Sequence, residues 1–446
     1  MIDIAEINET LRKTAEELSI KKYDLYGASG SSTSVSVDAG VADKVTAKDT
    51  ASCTLRVWDG EKTGSVSTSD LTAEGLESAL SLALDVAKLG LQDVSPDFSP
   101  EAKSGLNCTS DEIARDRAKP GQLIDKLIEM ESKVVGSHED ISKVPYNAIS
   151  DSTSVEFYVN SEGASRVCEH ASSYCYLYSL AQQDGRRARK AFSLKIGRDF
   201  SDLNFDECVT ETVERTIFSL DYVTLPPEKD YTVVFSPTAF LALFSSFENI
   251  WNARSVLDHR SLSTEKSLGE QIAVEDFNFF DDSHHKDNLS KSLFDQEGTP
   301  TKKLEIIKGG VLQTFIHNEE TAKKFNSPLT GNARIGARPS ASTNYYHIFN
   351  SNKSADVVDP STATDIVYVD QVNALHAGVQ ASQGTFSLPV DGWVTTTDGK
   401  KSFESAVVSG DILQLLKNIT YMNPQEEVTE YGIAPEVWVS GLKVTG

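Results

Sequence analysis

Chemistry in a sequence is limited by where its donor side chains stand, and in this chain the most site-like stretch lacks them. Residues 231–252, YTVVFSPTAFLALFSSFENIWN, read as a buried strand over 231–235, a Ser236-Pro237 break and an apolar helix carrying Phe240, Leu241, Leu243, Phe244 and Phe247. A strand, turn and helix in this order can present metal ligands one helical turn apart. In HExxH helices two histidines hold zinc this way, and a glutamate serves as base. This helix contains no histidine.

Other clusters carry donors in patterns that fall short of a site. His284-His285, with Asp281, Asp282 and Asp287 around them, form a loop cluster that could bind a metal. Adjacent histidines cannot both point into one site without an awkward backbone, and the loop reads as solvated. Cys168-Glu169-His170 sets a nucleophile near a base, but neighbours on a strand face opposite ways, so no dyad is expected. His138-Glu139-Asp140 starts like a zincin motif without the second histidine and reads as the polar end of a helix. No Walker A or GxGxxG phosphate loop is present.

Composition narrows the field further. The formal net charge of −24 argues against a broad nucleic-acid surface, since phosphate contacts need clustered Lys and Arg. The one dense basic run, GRRARK at 185–190, reads as a solvated hairpin end. Five cysteines without a CxxC spacing disfavour both a disulfide framework and a zinc knuckle, leaving reduced structural thiols. No apolar run approaches the roughly 18 residues of a membrane helix. The acidic, amphipathic start MIDIAEINETLRKTAEEL has no signal-peptide pattern, so the expected compartment is the cytoplasm.

The elements that must position these residues follow an α+β pattern. Ile4, Ile7, Leu11 and Leu18 share one helical face, and a short strand over 23–27 follows. Alternating residues around Val35–Val37 and over 53–58 predict antiparallel strands with one wet face, ending at Asp59-Gly60. Leu76, Leu80, Ala83 and Ala87 stripe a helix. Residues 93–112, with two Ser-Pro breaks and no periodicity, read as a linker. A helix through Leu123, Leu127, Met130 and Val134, strands around 155–159 and 174–178 joined at Asn160 to Gly163, and a helix over 206–220 repeat the same proportions. Pro226-Pro227 marks a second boundary. Beyond an irregular polar loop over 261–288, strands at 304–307, 311–316, 365–370, 392–397 and 437–444 dominate, with a Lys308-Gly309-Gly310 hairpin and a last helix near 411–419. The expected layout is an N-terminal α+β domain (1–92), a central α+β domain (113–222) and a larger β-rich C-terminal domain (228–446), with helices layered on antiparallel strands in the first two.

This order of segments, together with CTLRVWDGEKTGSVSTSDL (53–71), VNSEG (159–163) and FDQEGTPTKKLEIIKGGVLQTFI (294–316), resembles the TldD/PmbA family, once called modulators of DNA gyrase. The resemblance runs from about Tyr23 to Gly446. It implies one of two branches. TldD-type chains carry an HExxxH helix that binds a metal and cleaves peptides, whereas PmbA-type chains, also called TldE, lack it and partner them in a heteromeric protease. Leu243-Phe244 align with the apolar pair before the motif, which puts Ser245 and Ser246 at the first His and the Glu, and Ile250 at the second His. Ser is a poor zinc ligand, Ile is none, and Glu248 alone makes no zinc site. The last cysteine is Cys208, whereas the catalytic branch carries a cysteine ligand in its C-terminal part. His376-Ala377-Gly378 fall where the family has a Gly-rich segment near its cleft.

On this resemblance the chain is expected to have no catalytic, cofactor-binding or metal-binding residues of its own. It would be the non-catalytic subunit of a TldD/TldE-type cytoplasmic metalloprotease that degrades or processes small or unfolded peptides. The metal, expected to be zinc, would sit in the TldD-type partner, and this chain would wall part of a shared substrate cavity. Alone, it would pair with itself as a homodimer, and it would bind neither nucleic acid nor membrane. The competing expectation is a stand-alone regulatory protein of the gyrase-modulator type acting through its acidic surface.

Overall fold

The computed structural model describes residues 3–89, 97–103, 106–108, 117–225, 231–336 and 338–446. Its first half is built on one sheet of mostly long strands, antiparallel except that β4 runs parallel to β6: β1 (Lys22–Asp38), β2 (Val41–Asp59), β3 (Lys62–Thr68), the short β4 (Leu106–Cys108), β5 (Ile141–Asn160), β6 (Ser165–Ala181) and β7 (Arg189–Gly197). The order is β3-β2-β1-β5-β6-β4, with β7 on the remaining side of β6. β1 pairs with β5 from Asp24↔Asn160 to Val35↔Ile149, so the sheet passes unbroken from one helix-bearing half to the other. The predicted strand at 23–27 is the start of this much longer β1. Serines and threonines continue it, because both faces of the run can satisfy hydroxyls without burying apolar surface.

Helices α1 (Ile4–Glu17) and α2 (Ala73–Leu89) pack Ile7, Leu11, Leu76, Leu80 and Ala83 against Leu25, Leu55, Val57 and Phe157. Helices α3 (Pro120–Val135) and α4 (Phe205–Leu220) do the same with Leu123, Leu127, Met130, Val134, Cys208 and Val209 against Val35, Ile149, Cys175 and Leu177. Both stripes are spaced three or four residues apart, as one buried helix face requires. Part of the predicted 93–112 linker is built into the structure: Phe98 and Ala102 are buried and Asp97 N donates to Glu319 Oε2 at 2.9 Å. The rest of that segment, apart from the backbone of β4, and Pro226-Pro227, lies outside the described residues.

The second half holds β8 (Tyr222–Val223), β9 (Thr232–Phe235), helix α5 (Pro237–Ser245), β10 (Phe277–Asp282), β11 (Lys303–Lys308), β12 (Val311–Leu312), β13 (Ala333–Arg334), β14 (Ser340–Ala341), β15 (Tyr346–Asn350) and β16 (Ile366–Val372), followed by further strands. One sheet runs β12-β11-β10-β15 and then Gly432–Ala434 and Glu427–Val428; a ten-stranded sheet carries β9 beside β16. A single large core lies between them, with Phe235, Phe240, Phe244, Phe277, Phe279, Ile306, Ile348 and Val367.

Four sequence expectations change here. The polar loop over 261–288 contains β10, whose six residues are all buried. Its FNFFDD pattern has no alternation because β10 is central, between β11 and β15. The 311–316 strand shrinks to β12, since after the hairpin only Val311 and Leu312 pair back to β11. The 437–444 strand divides into Val437–Val439 and Lys443–Thr445 around Gly441, whose φ is 77°. The basic run at 185–190 is only partly solvated: Arg189 reaches across to donate to the carbonyls of Ser219 (2.9 Å), Glu404 (3.0 Å) and Phe403 (3.0 Å).

A second tie between the halves is ionic. Arg56 on β2 is 2% exposed and donates to Asp24 Oδ1 at 2.9 Å and Oδ2 at 2.5 Å, and to Glu297 Oε1 at 2.9 Å. Glu297 sits in the turn after Phe294, where Gly298 (φ 74°) leaves no room for a side chain: a Cβ there would stand 2.5 Å from the Tyr158 ring.

Candidate functional site

Ser236 closes β9 and caps α5: its hydroxyl accepts from Ala239 N at 3.1 Å and donates to Asp370 O at 2.7 Å. Pro237 opens the helix, where its missing N–H leaves nothing unsatisfied. The helix ends at Ser245, earlier than the sequence suggests, and Phe247 follows in a turn. The cause is local. Ser245 and Ser246 both direct their hydroxyls back to Ala242 O, at 3.1 and 3.0 Å, competing with the next backbone turn.

Ile250 is 1% exposed within the apolar core, beside Trp251, which stacks on Phe244 at 4.8 Å. Glu248 is used structurally: its Oε2 accepts from Thr343 N (2.8 Å), Tyr346 OH (3.2 Å) and Ser342 Oγ (3.4 Å). Two neutral hydroxyls donating to one carbonyl and an aliphatic side chain in the core provide no thiolate, imidazole or carboxylate for a zinc site.

The N-terminal end of α5 borders a cavity of about 600 Å³ between the two halves of the chain. β7 contributes Phe192, Leu194 and Ile196, α4 contributes Glu211 and Arg215, and β16 contributes Tyr368 and Asp370. Residues 427–431 close the other side. A neighbouring cavity of about 410 Å³, walled by Tyr178, Phe218 and Trp393, shares Phe192, Arg215, Asp370 and Gln371 with the first. β7 pairs only with β6, and Glu427–Val428 is the last strand of its sheet, so among the described residues both are strand edges. Burial, with Asp391 and Glu211 nearby, lifts the Asp370 carboxyl above its ordinary range against the pull of Arg215. Burial raises Glu427 and Glu430 as well.

Behind the wall at Asn344-Tyr345, the structure separates the two adjacent histidines. His284 Nε2 stands 2.9 Å from Thr301 Oγ1, and burial lowers its pKa. His285 turns the opposite way, stacking on Tyr345 at 6.0 Å and meeting His347 edge-on at 5.3 Å; Asp287 N donates to its Nδ1 at 3.3 Å. Asp282, His285 and His347 bring their donor atoms within 4.8 Å of one another. Asp282 is buried, yet Lys303 Nζ at 2.7 Å and His347 hold its carboxyl below the usual carboxylate range. Asp281 is fully buried and pushed up to about 6 by that burial, although Tyr345 N (2.8 Å), Asn344 N (3.1 Å) and Asn332 Nδ2 (2.6 Å) donate to it.

The reading of the loop as solvated is therefore corrected for Asp281, Asp282 and His285. Nothing local in the sequence nominates His347, which arrives through strand pairing, opposite Phe280.

The remaining candidates disperse. On β6, Cys168 and His170 are two apart and so face the same side, contrary to the expectation drawn from adjacent residues. Cys168 Sγ lies 3.5 Å from Lys291 O, while His170 Nε2 stands 3.6 Å from Glu156. Burial opposes charging of His170, but Cys168 and Glu156 raise it to about 10, which fits a cation rather than a general base. His138 lies beyond the end of α3 and accepts from Asp140 N at 3.2 Å. His376 is exposed on the short helix Leu375–Gly378.

Models of three consecutive domains match this chain: PmbA/TldA metallopeptidase domain 1 over residues 23–87, the central domain over 116–220 and the C-terminal domain over 228–446. The metalloprotease PmbA of Escherichia coli O157:H7 is 23% identical over 450 residues, covering 99% of this chain and 96% of that protein. The crystal structure of a candidate modulator of DNA gyrase from Thermotoga maritima superposes with a TM-score of 0.86 at 23% identity, over 99% of this chain and 100% of that one. TldE from Thermococcus kodakarensis gives a TM-score of 0.82 at 18% identity, over 99% and 100%.

Proposed function

From the premise that this chain belongs to the PmbA/TldD metallopeptidase family, we propose that it is the non-catalytic, TldE-type subunit of a cytoplasmic metalloprotease. A TldD-type partner supplies the catalytic metal, expected to be zinc, the glutamate base and the activated water. This chain supplies an interface and part of the wall of the peptide-binding space. The observation that carries the reading is the end of α5, where the Ser245 and Ser246 hydroxyls are occupied by Ala242 O and Ile250 is locked in the core. A metal that activates water needs ligands and an open position, and these three side chains offer neither.

The role as a wall rests on the cavity edges. An extended peptide can lengthen a sheet by pairing with a free edge, which gives binding through the main chain that tolerates many sequences. β7 and Glu427–Val428 present such edges on opposite sides of the cavity of about 600 Å³. The aromatic and aliphatic side chains of β7 would receive alternate residues of the peptide. The substrates this favours are small or unfolded peptides, since a folded protein cannot offer an extended segment to a recess of that size.

The test is co-expression with a TldD-type chain, followed by size-exclusion chromatography, metal analysis and a peptide-cleavage assay. The expected outcome is a heteromer that cleaves peptides, while this chain alone cleaves none. Failure to form a complex, with cleavage by the TldD-type chain unchanged on mixing, would sink the proposal.

A further inference from the structure

We propose that Asp282, His285 and His347 form a binding site for a divalent transition metal of the zinc class on this chain itself. This departs from the expectation that the chain holds no metal, and it is independent of any metal in a catalytic partner. The three donors come from rigid positions. Asp282 ends β10, and His347 lies on β15 opposite Phe280, two residues earlier, so both side chains share one face of the sheet. His285 is held by a tight turn: its N–H donates to Asp282 O at 2.9 Å, Asn288 N donates to His285 O at 3.1 Å, and Asn288 Nδ2 donates to Ser283 O at 2.9 Å.

The distances suit a small tetrahedral ion. Bonds of about 2.1 Å place neighbouring ligands roughly 3.4 Å apart. His347 Nδ1 and Asp282 Oδ2 are 3.4 Å apart. The third donor lies within 4.8 Å of both, a gap the His285 side chain closes by rotation. The surroundings also match those of metal-bound imidazoles, which usually donate their other ring N–H to a carboxylate. His347 Nε2 is 2.9 Å from Glu426 Oε2, so the ring keeps its Nε2 proton on that carboxylate while Nδ1, 3.4 Å from Asp282 Oδ2, loses its proton to solvent when an ion enters.

Lys303 is the built-in competitor. Its Nζ, 2.7 Å from Asp282 Oδ2, supplies the positive charge that an ion would bring, and its side chain is 48% exposed. An entering cation displaces the ammonium to solvent without leaving a buried charge. Binding at this place would pin the turn from Asp282 to Asn288, and Asp287 and Asn288 line the large cavity. Metal occupancy would thereby stiffen one wall of the cavity.

The test uses the purified full-length chain stripped with a chelator, titrated with Zn²⁺ against a chromophoric competitor and with Co²⁺ by visible absorption. One equivalent should bind, with the intense bands of a tetrahedral cobalt site. His285→Ala and His347→Ala should each weaken binding by about tenfold or more, and Glu426→Gln by about tenfold, as for other carboxylates behind a ligand. Lys303→Ala should tighten it several-fold, and Ser246→Ala should leave it unchanged. His285 lies on a turn outside the sheet, so its variant keeps the test valid if His347→Ala fails to fold, and circular dichroism and melting verify each. No saturable binding, or affinity unchanged in His285→Ala, overturns the proposal. Unchanged affinity in Lys303→Ala would equally overturn it, by showing that any bound ion does not occupy Asp282.

Discussion

The two sides of the C-terminal core present opposite solutions to burial. Around α5, rings fill the space: Phe244 packs on Phe240, Trp251, Phe277 and Phe279 with centroids 4.8 to 5.9 Å apart. Across β10, beyond Phe279, the interior is polar. Asp281 and Asp295 are fully enclosed and both are tied to the segment at 332–333, through Asn332 Nδ2 and Ala333 N. The first region excludes donors, and the second assembles them with their partners. Donor convergence therefore follows the strands that carry long polar side chains, and the one strand-turn-helix in the sequence that looks like a site is where packing has taken over.

The comparison can be broken at its apolar side first. Phe244→Ala should cost about 3–5 kcal/mol, the range for removing a buried ring that its neighbours cannot replace. Urea denaturation measures it, and a loss below about 1 kcal/mol would mean that α5 is not held by packing.

The polar side should reveal itself through pH. Burial, reinforced by the charge of Glu297, pushes Asp295 up to about 7. A carboxyl with a raised folded-state pKa binds its proton more tightly in the folded chain than in the unfolded one, where it titrates near pH 4. Stability should therefore fall as pH rises from about 4 to about 7, by at most about 1.4 kcal/mol per pH unit from this group. Urea midpoints across that window should decline, and Asp295→Asn should flatten the decline; an equal slope in the variant would remove Asp295 as its source.

The smallest effect is expected where the two regions meet. Glu248→Gln keeps an oxygen for Thr343 N but loses the charge that strengthens three hydrogen bonds, and should cost about 1 kcal/mol in the same assay.

Much of this division was readable beforehand. The helical stripes at Leu123, Leu127, Met130 and Val134 and at Leu76, Leu80 and Ala83 became buried faces, because i, i+4 spacing has only one structural reading at that length. The apolar pattern predicts α5 but runs it too far, since nothing in that composition reveals that two adjacent serines turn back on Ala242. β10 is not legible locally, because a central strand ending in two aspartates looks like a wet loop until Asn332, Asn344, Lys303 and His347, all distant in sequence, arrive to satisfy the carboxylates. His284-His285 could be judged unable to share a site from local geometry. Which histidine would be recruited, and by which distant partner, depended on strand register. Arg56 likewise gives no local sign of its two acids.

That arginine bears on how the molecule comes apart. Its charge is balanced by one acid from its own sheet and one from the opposite half, and both acids are 0% exposed. Separated, each half would keep an interior charge without its full complement, and an unpaired ion in a protein interior costs several kcal/mol. The shared arginine thus couples the two halves energetically. Heating, followed by circular dichroism, should give one cooperative melt of the two halves together.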